Sequence, residues 1–101
     1  MEVYTTIEKG VMVFKLIGEL DEHAAEFVRH KLDKDLNDNE YVGVIFDLSR
    51  LSFMDSTGIG VIIGRYKIAK KSNKPVYVRE PSPTIDKIFK MSGLYEIIQK
   101  I

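Results

Sequence analysis

Few residues in this sequence have the type and spacing for chemistry, and most of the usual arrangements fail on inspection. His23 and His30 lie seven residues apart, with no cysteine anywhere and no clustered third ligand, so a zinc site has little support. Both are read as solvated helix histidines. A serine-nucleophile elbow needs Gly-x-Ser-x-Gly, whereas Ser56 follows Met54-Asp55 and has glycines only after it. The run Gly58-Ile59-Gly60-Val61-Ile62-Ile63 breaks the dinucleotide fingerprint at its third glycine, and no phosphate loop ending in Gly-Lys-Ser or Gly-Lys-Thr is present. Acidic residues are numerous but form no recognisable pair of general acid and base. No enzymatic activity, metal or cofactor is expected.

What remains is Phe53-Met54-Asp55-Ser56-Thr57-Gly58-Ile59-Gly60. Ser56 and Thr57 stand where loop is expected to become helix, so unpaired backbone N–H groups and the positive end of the helix dipole face anything attached there. Ser56 also has a plainer reading as a helix cap. Gly58, Gly60 and Gly64 within one helix cost about 1 kcal/mol each relative to alanine, which calls for compensation, such as close approach of another backbone from the domain or from a partner. At 100° per residue, Val61 and Ile68 fall opposite Ile59, Ile62, Ile63 and Tyr66. The helix is thus apolar on two faces. One is core; the other is covered by neighbouring helices or forms a contact surface.

The elements that position this segment can be read from periodicity. Residues 3–7 and 11–18, separated by Lys9-Gly10, predict an opening hairpin. From Ala24, Phe27, Val28, Leu32 and Leu36 follow helical spacing, with Asp21 as the amino-terminal cap and Asn37-Asp38-Asn39 as the stop. Residues 41–48 read as a short apolar strand, buried on both faces if helices cover the sheet. A second helix runs over about 56–71, its basic end suiting the dipole. Residues 75–79 are the next strand. Ser82 and Pro83 open a third helix carrying Ile85, Ile88 and Phe89, which Gly93 ends, and residues 95–98 make the last strand. The order gives a single α/β domain: an opening β-hairpin, then alternating helices and strands, in a mostly parallel mixed sheet packed against helices. Such sheets bind at the carboxyl ends of their strands, which singles out loops 18–22 and 49–58.

Composition sets bounds on the partner. The 101 residues carry fifteen basic and fifteen acidic side chains, which gives no electrostatic excess for direct nucleic-acid binding or for a membrane surface. The central uncharged stretch, 57–64, is far short of the ~20 residues of a membrane span, and the amino terminus lacks the pattern of a secretory signal. Cytoplasm is the expected compartment.

The segment Leu51-Ser52-Phe53-Met54-Asp55-Ser56-Thr57-Gly58-Ile59-Gly60-Val61-Ile62-Ile63-Gly64-Arg65-Tyr66-Lys67 closely resembles the central motif of the bacterial anti-sigma factor antagonists of the STAS family, particularly those of sporulation. Leu16-Ile17-Gly18-Glu19-Leu20-Asp21 and Phe89-Lys90-Met91-Ser92-Gly93-Leu94 agree with it, so the resemblance covers nearly the whole chain, 1–101. It implies a non-catalytic switch in transcription regulation. The unphosphorylated protein binds an anti-sigma factor that is also a serine kinase, phosphorylation inactivates it, and a metal-dependent serine phosphatase restores it. The implied phosphoacceptor is Ser56, with Asp21, Asp55, Thr57 and Gly58 beside it in the partner-binding set. Val61 and Ile68 join that set if the second helix face is a contact surface. Family members continue into a carboxyl-terminal helix, which a chain stopping at Ile101 is expected to lack. Two other readings stand beside this one: a nucleotide-binding or weakly hydrolysing STAS domain, and an interaction module from a larger assembly such as a transporter's cytoplasmic domain.

Overall fold

Two antiparallel strands open the chain, β1 (Glu2–Glu8) and β2 (Val11–Leu20), joined by Lys9 and Gly10. Both turn residues have positive φ, 53° and 85°, the backbone of the two-residue turn whose twist matches a hairpin. Then follow α1 (Ala25–Asp38), β3 (Gly43–Met54), α2 (Ser56–Lys71), β4 (Val76–Arg79), α3 (Pro83–Ser92), a 3₁₀ turn (Leu94–Glu96) and β5 (Gln99–Lys100). The computed structural model describes all residues, Met1–Ile101.

The strands form one sheet in the order β1-β2-β3-β4-β5, antiparallel between β1 and β2 and parallel from β2 onward. Sequential parallel strands with crossovers of the usual right hand place all three helices on the same face. The core agrees. Register aligns Met12 with Val44 and Val76, and Phe14 with Phe46 and Val78, on one face. These side chains join Val28 and Leu32 of α1, Val61 and Ile62 of α2, and Ile85 and Phe89 of α3 in one continuous cluster. Phe14 and Phe46 meet at its centre with ring centroids 5.7 Å apart.

The opposite face carries no helix, so β3 is not buried on both sides by helices. Ile45 and Tyr77 are only partly buried there, and Tyr4 is exposed. Val13, the buried apolar residue outside the core cluster, sits on this face with Arg79 and its acidic partners nearby. Arg79 lies 3.2 Å from Asp47 and 3.6 Å from Glu8. Burial would raise the Asp47 carboxyl, but the Ser49 hydroxyl and N–H and the Arg79 guanidinium more than offset it and hold it below its ordinary range.

Two strand ends differ from the expected ones. β3 runs to Met54 instead of stopping at Leu48, because its polar residues Ser49, Arg50 and Ser52 are absorbed by two bulges. Lys15 and Ile17 of β2 face Asp47 and Arg50, and Gly18 and Glu19 face Leu51 and Phe53. The Ser52 hydroxyl donates to the Gly18 carbonyl at 3.0 Å. At the other end, 95–98 is not a strand. Gly93 takes a left-handed conformation (φ 79°), and Leu94 and Tyr95 fold back onto α3, where Tyr95 meets Phe89 at 5.2 Å. Pairing resumes only at Gln99–Lys100.

Asp86 ties this last turn down. It accepts from the Tyr95 hydroxyl and lies 2.9 Å from Lys90 and 3.1 Å from Lys100. The Tyr95 hydroxyl, then the two ammonium groups, hold its carboxyl well below the usual range. A depressed carboxyl contributes stability in full above the unfolded value near ~4 and loses it as pH falls toward the folded value. Asp86→Asn is expected to lower the thermal midpoint at neutral pH and to flatten the loss of stability between about pH 4 and pH 2. Melting followed by circular dichroism across that range measures both.

Candidate functional site

Both parallel crossovers that leave the carboxyl end of the central strands begin side by side. β2 ends at Leu20 opposite Met54 of β3, so the turn into α1 and the turn into α2 start at the same level of the sheet. Asp55 is the amino-terminal cap of α2. Its Oδ1 accepts the Gly58 N–H at 2.9 Å, while Oδ2 accepts the Glu22 N–H, from the other turn, at 3.0 Å. The Asp55 N–H points to the Leu20 carbonyl at 3.4 Å.

Asp21 does not cap α1 directly. The helix begins at Ala25 after Ala24, which makes no side-chain cap, and Asp21 Oδ1 instead accepts the N–H groups of His23 and Ala24 at 3.0 and 3.1 Å, ordering the turn that leads in. Ser56 and Thr57 are the first two residues of α2, both exposed, and Ser56 is not the cap because Asp55 is. The N–H groups of Ser56 and Thr57 have no backbone partner, as the first turn of a helix requires.

Of the expected contact residues, Asp21, Asp55, Ser56 and Thr57 are brought together at this end. Gly58 and Val61 are not available to a partner. Gly58 is buried, and a Cβ there would fall 2.1 Å from the Leu20 carbonyl oxygen, so the close approach its sequence position called for comes from within the domain. Val61 is only 5% exposed and belongs to the core, because the buried stripe of α2 is centred on Gly58, Ile62, Arg65 and Ala69 and reaches round to it. Ile59, Ile63 and Tyr66 are correspondingly only partly buried. Ile68 keeps 40% of its surface, far along the helix from Ser56. In α1, Phe27 lies outside the apolar stripe and is 57% exposed.

Periodicity also missed Arg65, a charged residue buried in the α1–α2 contact. Its Nε lies 3.0 Å from Asp33 of α1, an ion pair whose alignment falls short of a hydrogen bond. Desolvation lowers the Arg65 pKa from its ordinary value, and Asp33 opposes that change. The signal was the four-residue spacing of Val61, Arg65 and Ala69, which places Arg65 on the buried stripe.

A model of the STAS domain matches residues 2–101. This chain belongs to the STAS domain family. It is 36% identical over 90 residues to the anti-sigma F factor antagonist of Paenibacillus polymyxa, an alignment covering 89% of this chain and 77% of that protein. Among solved structures, it superposes on the anti-sigma factor antagonist SpoIIAA in its unphosphorylated form with a TM-score of 0.83, at 32% identity and over 99% of this chain and 88% of that one. The phosphorylated form of SpoIIAA from Bacillus gives 0.74 at the same identity, over 99% and 91%. No helix is long and apolar enough to cross a membrane.

The three helical glycines therefore separate. Gly58→Ala forces a backbone displacement at Leu20 and is expected to destabilise the domain or prevent its folding. A Cβ at Gly60 or Gly64 meets nothing within 4 Å, so Gly60→Ala and Gly64→Ala are expected to raise stability by up to about 1 kcal/mol each. Urea unfolding of the three variants tests the ranking.

Proposed function

We propose that this STAS domain is an anti-sigma factor antagonist whose docking surface is switched by a phosphate on Ser56. The observation that carries the reading is the exposed Ser56 at the start of α2, set beside the Asp21 turn, in a chain similar to proteins that bear the antagonist name. In this reading the unphosphorylated chain binds an anti-sigma factor with serine-kinase activity and so frees a sporulation sigma factor in the cytoplasm. The kinase then modifies Ser56, and a metal-dependent serine phosphatase reverses the step. The domain itself is not an enzyme.

Charge explains how one phosphate suffices. Residues 18–24 and 55–58 contain Glu19, Asp21, Glu22 and Asp55 and neither lysine nor arginine. A phosphate adds about −1.5 to −2 charges to this acidic end, where no lysine or arginine of either loop is there to neutralise them and His23, beside Glu22, is the one base. The unpaired N–H groups of Ser56 and Thr57 give it a place on the helix terminus without a change of fold. What changes is the charge and shape presented to the partner.

Incubation with the cognate anti-sigma kinase and Mg-ATP, followed by mass spectrometry, is expected to place the phosphate on Ser56, and Ser56→Ala is expected to abolish it with little change in stability, because Asp55 supplies the cap. Modification centred on Thr57 would overturn the assignment. Asp21→Asn tests the docking surface. Asparagine retains an oxygen for the His23 and Ala24 N–H groups, so melting stays near normal, while a charge-assisted contact worth roughly 1.5 to 3 kcal/mol is weakened and affinity for the anti-sigma factor falls at least several-fold. Calorimetric titration reads the difference. Unchanged binding would move the recognition surface away from Asp21.

A further inference from the structure

The Asp55 carboxylate stands between two loops and is engaged with both. We propose that Asp55 is a positioning residue that holds the Asp21 turn and Ser56 at a fixed spacing, so that two separate crossovers present one docking surface; its binding arm rests on the antagonist reading. Each oxygen already accepts a backbone N–H, one from Gly58 within α2 and one from Glu22 in the other turn. A cap needs only the first of these bonds, and serine, threonine or asparagine could provide it. Serving two donors that diverge from a side chain this short takes a group with two acceptor oxygens, which aspartate alone supplies at that length.

The remaining contacts make this single tie sufficient. Asp21 Oδ1 orders residues 21–24 internally through His23 and Ala24, so the turn behaves as a unit. Its root is fixed where the Leu20 carbonyl meets the Asp55 N–H and rests on Gly58. The Glu22 N–H bond to Asp55 is a third point of attachment, beside α1, which the turn enters through the Ala25 N–H bond to the Asp21 carbonyl. Without it, the turn is held only at its two ends and the Asp21 carboxylate moves relative to Ser56. A direct contact of Asp55 with the partner, the role the resemblance implies, would have only the lone pairs that these two bonds leave.

Asp55→Asn and Asp55→Ser in the full chain separate the roles, because each retains one capping oxygen and neither can accept from both loops. By NMR, the Gly58 amide is expected to exchange as in the unsubstituted protein while the Glu22 amide exchanges about tenfold faster, the effect of losing one charge-assisted hydrogen bond. Wild-type exchange at Glu22 in both variants would overturn the proposal. Titration against the anti-sigma F factor of Paenibacillus polymyxa gives the second readout. If Asp55 positions Asp21, adding Asp21→Asn to Asp55→Asn changes affinity less than about twofold, although it costs several-fold alone. Full multiplication of the two effects would show that Asp55 acts independently of Asp21 and would overturn the proposal. If the unsubstituted protein does not bind, the antagonist reading fails on its own, and amide exchange decides whether Asp55 ties the loops.

Discussion

The contact on which the rest of this structure depends is between two pieces of backbone, the Leu20 carbonyl and the first turn of α2 at Gly58. The space left there is so small that even a methyl group would lie 2.1 Å from the carbonyl oxygen. This approach brings the end of β2 against the beginning of the next helix but one. It allows the Asp55 N–H to reach Leu20 and puts the Glu22 N–H within reach of the Asp55 side chain. Glycine at 58 is needed for close packing, and it is the only one of the three helical glycines that the domain's own packing requires.

Topology brings those two pieces together. Because β2 and β3 are adjacent and parallel, both send their chains out of the sheet at the same edge, and right-handed crossovers turn both onto the same face. α1 and α2 are then neighbours with their amino termini at one end, and the ion pair of buried Arg65 with half-exposed Asp33 joins them further along. The bulges in β3 take up two surplus residues, which holds Met54 level with Leu20. An unbulged β3 would place Asp55 out of register with the Asp21 turn.

How much of this could be read from the sequence follows from which forces are local. The hairpin, the cap at Ser82, the stop at Gly93 and the start of α2 at Ser56 depend on residues within a few positions of one another, and all were legible. β3 beyond Leu48 was not, because Ser49, Arg50 and Ser52 look like a loop until a partner strand takes up their extra length in bulges. The orientation of α2 was misjudged by roughly a quarter turn. Counting Ile59, Ile63 and Tyr66 as core followed hydrophobicity, whereas the real centre is set by Gly58, where the approach of Leu20 leaves no choice. That rotation buries Val61 and Arg65. At the site, the grouping of Asp21 with Ser56 was foreseen from the topology, but the double role of Asp55 was not, since the second bond comes from a residue thirty-three positions away.

The way polar groups are satisfied at this end bears on why a modification there can act without unfolding anything. The carboxylate oxygens of Asp55 and Oδ1 of Asp21 already accept backbone donors, and the Leu20 carbonyl faces Asp55 and Gly58. The N–H groups of Ser56 and Thr57 are the donors left open, and both lie at the surface. An added anion therefore finds its hydrogen bonds outside the network that holds the two turns together, and its repulsion from Glu19, Glu22 and Asp55 is felt in water, where screening limits it to a range of about 8 Å. Against a folding stability of roughly 5 to 15 kcal/mol, such surface repulsion is small. Against the proposed docking surface it is large, because Asp21, Glu22 and Asp55, the groups at this end, flank the new charge directly. Ser56 sits at the structure's edge, free of the packing, so the fold has room for an anion there; in the proposed switch that same position puts the new charge on the docking surface.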